Sequence, residues 1–274
     1  MKINDSLAIL ARLSSLALFG FVSYLVIVTA GVITQCPSTG NTCTGTDRSE
    51  VFILTGSPSN PTSTNITLLE ARGGNDRVTV SSIITTNITI RGEDGNDVIF
   101  DGGGNGNLEG GDGNDRIDGN GGTDTIRGGG GNDQLNGGIG DDTINGEDGN
   151  DRILGGPDAD TINGGPGNDI IDPGPGTDGS SSNPITGGGG NDIYILRRGE
   201  TGNGTEHIRC TTNSADRSIV RLVGFSKDDP ALPRLPARLQ RDPTLSNYTD
   251  IRDGAGTFRI YHGPGDCLVV LSSQ

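Results

Sequence analysis

From Asp115 to Asp178 an aspartate recurs every nine residues, set among glycines. A carboxylate at fixed spacing in a flexible, oxygen-rich loop is chemistry for a hard divalent cation, which takes carboxylate and carbonyl oxygens together. The regular part reads GGDGNDRID, GNGGTDTIR, GGGGNDQLN, GGIGDDTIN, GEDGNDRIL, GGPDADTIN and GGPGNDIID, from Gly110 to Asp172 without a slip. Position six is Asp in every unit: Asp115, Asp124, Asp133, Asp142, Asp151, Asp160 and Asp169. Position eight is always apolar: Ile117, Ile126, Leu135, Ile144, Ile153, Ile162 and Ile171. Upstream, Gly92 to Phe100 is a complete unit with Asp97, and the next unit has Gly106 where the Asp belongs. Downstream, Pro173 to Ser181 keeps Asp178 but loses the apolar residue, and after an insertion Gly187 to Ile195 keeps Asp192.

Each column has a physical reason. Positions one to four are Gly-heavy because a sharp turn that aims its carbonyls inward needs dihedrals that Gly adopts cheaply. The Asp supplies charge and the loop carbonyls supply the remaining oxygens. Positions seven to nine form a short strand with position eight facing inward. Asp94, Asp112 and Asp148 at position three, with Asp118 and Asp172 at position nine, are expected to line the solvated surface.

This pattern, G-G-x-G-x-D-x-U-x, resembles the RTX (haemolysin-type) calcium-binding repeat. The resemblance covers roughly a third of the chain and implies an all-β fold, a parallel β-roll in which two nonapeptides make one turn and calcium lines both edges. With that stacking, one edge would hold Asp97, Asp115, Asp133, Asp151 and Asp169. The other would hold Asp124, Asp142, Asp160 and Asp178, preceded by a weak or empty place at Gly106. Neighbours along each row then share about seven calcium ions, and Asp192 adds a place across the insertion. One Ile per nine residues is a thin core against the entropy of ordering so much glycine, so the coil is expected to fold only when calcium binds.

The charge agrees. Formal net charge is −15; between Gly92 and Asp178 there are 20 acidic residues against Arg116, Arg127 and Arg152. Such a surface disfavours nucleic acid. Residues 1–30 read as an export signal, with Lys2 and Arg12 before an uncharged segment and Val28-Thr29-Ala30 before Gly31. The alternative is an uncleaved membrane anchor, since the uncharged run reaches the roughly 20 residues that a span needs. Either places the remainder outside the cell, secreted or surface-held. Of the four cysteines, the spacing favours Cys36 with Cys43 and Cys210 with Cys267, in keeping with an oxidising compartment.

The organisation expected is therefore 1–30 signal, 31–91 a Cys-bearing connector with irregular β capping rungs, 92–195 the roll, and 196–274 a small disulfide-held β region. Val51 to Leu54, Ile66 to Leu69, Val78 to Val80 and Ile88 to Ile90 read as strands before the roll. Ser218 to Phe225, Phe258 to Tyr261 and Cys267 to Leu271 read as strands after it. The two histidines, His207 and His262, lie in no metal-ligand or nucleophile motif, so an enzyme is not expected. A structural or adhesive calcium-binding role leads. Its alternatives are an accessory protein whose C-terminal region binds an extracellular polysaccharide or a surface protein, or else a small hydrolase.

Overall fold

The structure, a computed structural model, describes residues 41–54, 66–180, 182–199, 201, 205–210, 216–225, 248–252, 257–261 and 266–272. The proposed signal, Cys36, His262 and the side chain of Cys267 lie outside these residues. All regular structure among them is β, with no helix.

The chain winds between two sheets, visiting them alternately. The first holds β1 (Thr42–Thr44), β3 (Leu68–Glu70), β5 (Thr89–Asp94), β7 (Asn107–Asp112), β9 (Thr125–Gly130) and β11 (Thr143–Asp148). It continues through β13 (Thr161–Pro166), β15 (Ile185–Gly189) and β17 (Thr205–Arg209), then β20 (Thr257–Tyr261) and β19 (Tyr248–Arg252). The second holds β2 (Val51–Leu54), β4 (Arg77–Val80), β6 (Val98–Phe100), β8 (Arg116–Asp118) and β10 (Gln134–Asn136). Its remaining strands are β12 (Arg152–Leu154), β14 (Ile170–Asp172), β16 (Ile193–Arg197), β18 (Arg217–Val223) and β21 (Asp266–Ser272). Pairing is parallel throughout except for β19 against β20, an antiparallel strand that ends the first sheet.

This is the parallel β-roll expected, with one correction to its strands. In the second sheet the regular units contribute three residues each, at positions seven to nine. In the first sheet the strands run to six residues and carry pairing into the glycines of the next unit, so that Glu93, Gly111, Gly129 and Glu147 fall in one register. The glycine turn on that edge is thus also a ladder.

The core is a pair of side-chain stacks. Leu108, Ile126, Ile144 and Ile162 are paired in register in one sheet, and Ile117, Leu135, Ile153 and Ile171 in the other; all are buried. The apolar residue missing at position eight of the Pro173 unit is replaced by Ile185, which is fully buried and stands in register with Ile208. The insertion is therefore an excursion that returns the chain to the core. Toward both ends the core thickens: Leu54, Val80, Ile84 and Ile88 add to the first rungs, and Leu196, Leu222 and Phe225 to the last. Cys43 and Cys210 are fully buried, and neither is a free thiol.

Rungs stack so tightly that glycine is required at the turn. A methyl group on Gly113, whose φ is +143°, would lie 1.6 Å from the Gly95 carbonyl oxygen. Side chains in the stack have equally little room to relax. Ile144→Ala is expected to lower the stability of the calcium-loaded protein by about 2–5 kcal/mol. Thr143→Ala, on the exposed side of the same strand, should change it by under about 0.5 kcal/mol. Thermal melting of both variants in calcium checks the contrast.

Candidate metal centre

The roll brings the position-six aspartates into two columns, one on each edge. In the first, the backbone N–H of each Asp donates to Oδ1 of the Asp one rung on. Asp97 donates to Asp115 at 2.7 Å, Asp115 to Asp133 at 2.7 Å, Asp133 to Asp151 at 2.8 Å and Asp151 to Asp169 at 2.8 Å. Asp169 donates to Asp192 at 3.1 Å across the longer rung. In the second, Asp124 donates to Asp142 at 2.7 Å, Asp142 to Asp160 at 2.9 Å and Asp160 to Asp178 at 2.8 Å. The structure thus assembles the ten aspartates read from the sequence into the two expected rows. At the head of the second row Gly106 N–H still donates to Asp124, at 2.6 Å.

Beside the first column runs an asparagine ladder of opposite sense. Asn114 N–H donates back to Asn96 Oδ1 at 2.7 Å, Asn132 to Asn114 at 2.7 Å, Asn150 to Asn132 at 2.8 Å and Asn168 to Asn150 at 2.8 Å. Each turn therefore gives one N–H to the rung before and the next N–H to the rung after. The two ladders together hold the carboxylates in place.

The second oxygen of each carboxylate is the informative one. Oδ2 of Asp76, Asp97, Asp115, Asp124, Asp133, Asp142, Asp151, Asp160 and Asp169 is buried and has no hydrogen-bond partner. A buried carboxylate oxygen left without a partner is costly, and nature seldom repeats that cost at every turn without a ligand to remove it. The space beside these oxygens is shaped by glycine. A methyl built on Gly110 would lie 2.3 Å from Asp115 Oδ2 and 2.5 Å from the Gly128 carbonyl oxygen; on Gly128 it would lie 2.3 Å from Asp133 Oδ2 and 2.6 Å from the Gly146 carbonyl. Each position-one glycine thus opens a hollow edged by a carboxylate oxygen and a carbonyl of the next rung.

These donors fit calcium. Among the described residues no three His, Cys, Asp or Glu side chains gather into a metal-holding group; a metal ion here would take carboxylates from successive turns together with backbone carbonyls, a mixture calcium accepts. Adjacent parallel strands lie about 4.7–4.9 Å apart, roughly twice a calcium–oxygen distance of about 2.3–2.6 Å. An ion between two rungs can reach oxygens of both. Burial raises the carboxyls accordingly: Asp133, Asp142, Asp151 and Asp192 to about 6, Asp76, Asp115, Asp124 and Asp169 to about 7, and Asp160 to about 9.

The first column reaches further upstream than the sequence reading took it. Asp76 N–H donates to Asp97 Oδ1 at 2.7 Å over a rung of 21 residues, and Glu50 N–H donates to Asp76 Oδ1 at 2.6 Å over one of 26. The triplet Gly74-Asn75-Asp76 matches Gly95-Asn96-Asp97 and was the available signal; the changed spacing hid its register. Glu50 ends the column differently, because its carboxylate accepts from Thr46 N–H at 2.8 Å and the Thr46 hydroxyl at 3.2 Å. At the far end Ser218 takes the place of an Asp, accepting from Asp192 N–H at 3.3 Å.

Of the aspartates expected at the surface, Asp94, Asp112 and Asp148 are exposed and Asp118 is half-buried. Asp172 departs from expectation: it is buried and clamped by Arg197, whose Nη2 donates to Oδ2 at 2.7 Å. The arginine comes from β16, a rung beyond, which no local pattern displays. His207 stacks on Tyr261, with ring centroids 5.9 Å apart, and lies on neither column.

Four copies of the family model for the RTX calcium-binding nonapeptide repeat match the chain, at residues 89–117, 100–135, 109–144 and 145–179. A comparison with curated proteins found no match. The matched stretch covers the regular rungs of both columns, and residues 89–179 of this chain are similar to the RTX calcium-binding nonapeptide repeat.

Proposed function

We propose that the chain is a secreted calcium-binding protein whose two aspartate columns take up a row of calcium ions each and fold as they do so, serving a structural or adhesive role outside the cell. The observation that carries this is the buried, partnerless Oδ2 repeated from rung to rung. Neighbouring carboxylates share an ion: Asp97 with Asp115, Asp115 with Asp133, Asp133 with Asp151 and Asp151 with Asp169 on one edge. Asp124 with Asp142, Asp142 with Asp160 and Asp160 with Asp178 do so on the other. That makes about seven ions, and Asp76 and Asp192 lengthen the first row at its two ends.

The remaining parts fit export. Residues 1–30 direct secretion, and Cys36–Cys43 and Cys210–Cys267 disulfides clamp the ends of the roll, where the apolar core is also thickest. No enzymatic step is assigned to the chain. A second reading, in which residues 196–274 bind a polysaccharide or a surface protein, draws on the stacked His207 and Tyr261 beside the Arg259–Asp250 ion pair. An aromatic pair next to a charged pair is a surface that a sugar can stack on and hydrogen-bond to.

Calorimetric titration of residues 31–274 tests the leading reading. Calcium should bind to several sites per chain, with magnesium a weak competitor because it demands near-octahedral geometry and sheds water reluctantly. Absence of calcium binding, or equal binding of magnesium, would overturn it. A glycan array probed with the calcium-loaded chain separates the second reading from the first.

A further inference from the structure

We propose that Asp101 supplies a calcium site of its own at the head of the second column, together with Asp124, in the place where the repeat lacks its aspartate. This rests on the calcium reading of the columns. The unit at 101–109, DGGGNGNLE, is an ordinary unit with two positions exchanged: Asp stands at position one and Gly at position six.

The fold makes that exchange neutral in space. Positions one and six face each other across the turn, as the 2.3 Å between a methyl on Gly110 and Asp115 Oδ2 demonstrates. In the exchanged unit the relation is reciprocal, since a methyl on Gly106 would lie 2.2 Å from Asp101 Oδ2. The carboxylate of Asp101 therefore enters from the opposite wall the space that a position-six Asp enters in every regular rung.

Its surroundings are those of a ligand and not of a turn residue. Asp101 is 1% exposed, and neither of its carboxylate oxygens has a hydrogen-bond partner. One rung on, Asp124 spends Oδ1 on the Gly106 N–H, as its counterparts do on an aspartate N–H, and its Oδ2 is likewise buried without a partner. Three carboxylate oxygens from two rungs thus lie buried with nothing to bind. Buried carboxylates so placed require a cation or a proton. The hollow in front of Gly119, edged by Asp124 Oδ2 at 2.4 Å and the Gly137 carbonyl at 2.5 Å from a built methyl, repeats the regular geometry immediately beyond. The second column is therefore unbroken at Gly106, and its first aspartate is contributed by a different position of the repeat.

The test counts ions on the full chain by native mass spectrometry in calcium, with circular dichroism to report the fold. Asp101→Asn should carry one calcium ion fewer than the native chain. The double exchange Asp101→Gly with Gly106→Asp, which rebuilds a regular unit, should recover the native count. An unchanged count in Asp101→Asn overturns the proposal and makes Asp101 a neutral turn residue. Should Asp101→Asn fail to fold, the double exchange decides: a native count supports the site, and a lower count or no fold overturns it. A native chain that binds no calcium at all would instead overturn the reading of the columns, a distinguishable failure.

Discussion

At pH 8, removing calcium from residues 31–274 is expected to abolish most of the strand signal in circular dichroism, and restoring calcium to recover it. Between Gly110 and Asp172 each nine-residue unit has a single buried Ile or Leu in its stack. Burying one such side chain is worth about 1.5–3 kcal/mol, whereas ordering even a few residues of backbone costs as much, and glycine loses the most. Against this the metal-free roll must also stack ionised carboxylates directly above one another, buried and with one oxygen unsatisfied. A calcium ion held between two rungs would remove that repulsion and satisfy the orphaned oxygens of both. The transition should be cooperative in calcium, because a rung without neighbours has neither a ladder partner nor a second carboxylate to share an ion. Strand content that survives a chelator at pH 8 would show that the apolar stacks suffice alone, and the coupling of calcium to folding would be wrong. The ends should outlast the middle, since Phe52, Leu54 and Ile66 at one end and Leu196, Leu222 and Phe258 at the other give those rungs a thicker core.

The second large effect is that acid substitutes for calcium in part. In the metal-free roll, burial raises the column carboxyls to about 6 or 7 for most and about 9 for Asp160, whereas the unfolded chain releases the same protons near 4. Between these values the folded state binds more protons than the unfolded one. The stability of the metal-free roll is therefore greatest below about pH 4 and is lost as pH rises through about 6 to 7. For a carboxyl moved from 3.8 to about 6 the cost of ionising it in place is on the order of 3 kcal/mol, and the columns contain many. Calcium-free protein should accordingly gain strand signal on going from pH 8 to pH 5, and the contrast between calcium-loaded and calcium-free samples should shrink. The calcium-loaded chain behaves oppositely, losing stability once the unfolded carboxyls take up protons near pH 4. Circular dichroism across this range with and without calcium checks both signs. A calcium-free chain that loses strand on acidification would refute the account.

Much of this protein is local enough to be legible in its residues. The nine-residue period, the aspartate at position six and the apolar residue at position eight determine a turn, a ligand and a core contact within each unit, because each is set by neighbours only a few residues away. The two rows of aspartates follow once units alternate between edges, which the resemblance to RTX repeats implied. What the residues could not display are the places where register depends on rungs of other lengths. Asp76 joins the first column only because a 21-residue rung returns it beneath Asp97. Ile185 restores the core only because the insertion loops out, and Asp172 is buried only because Arg197 arrives from the neighbouring rung. The exchange of Asp101 and Gly106 is the sharpest case. In one dimension it is a missing ligand, five residues from an unremarked acid; in three, the two positions share one space across the turn. The residue pattern alone implies a calcium-binding coil and places ten aspartates along its edges, though not Asp76 or Asp101. Only the stacking of rungs decided where the columns begin and end, since an ion senses which oxygens lie within reach and not how far apart they stand along the chain.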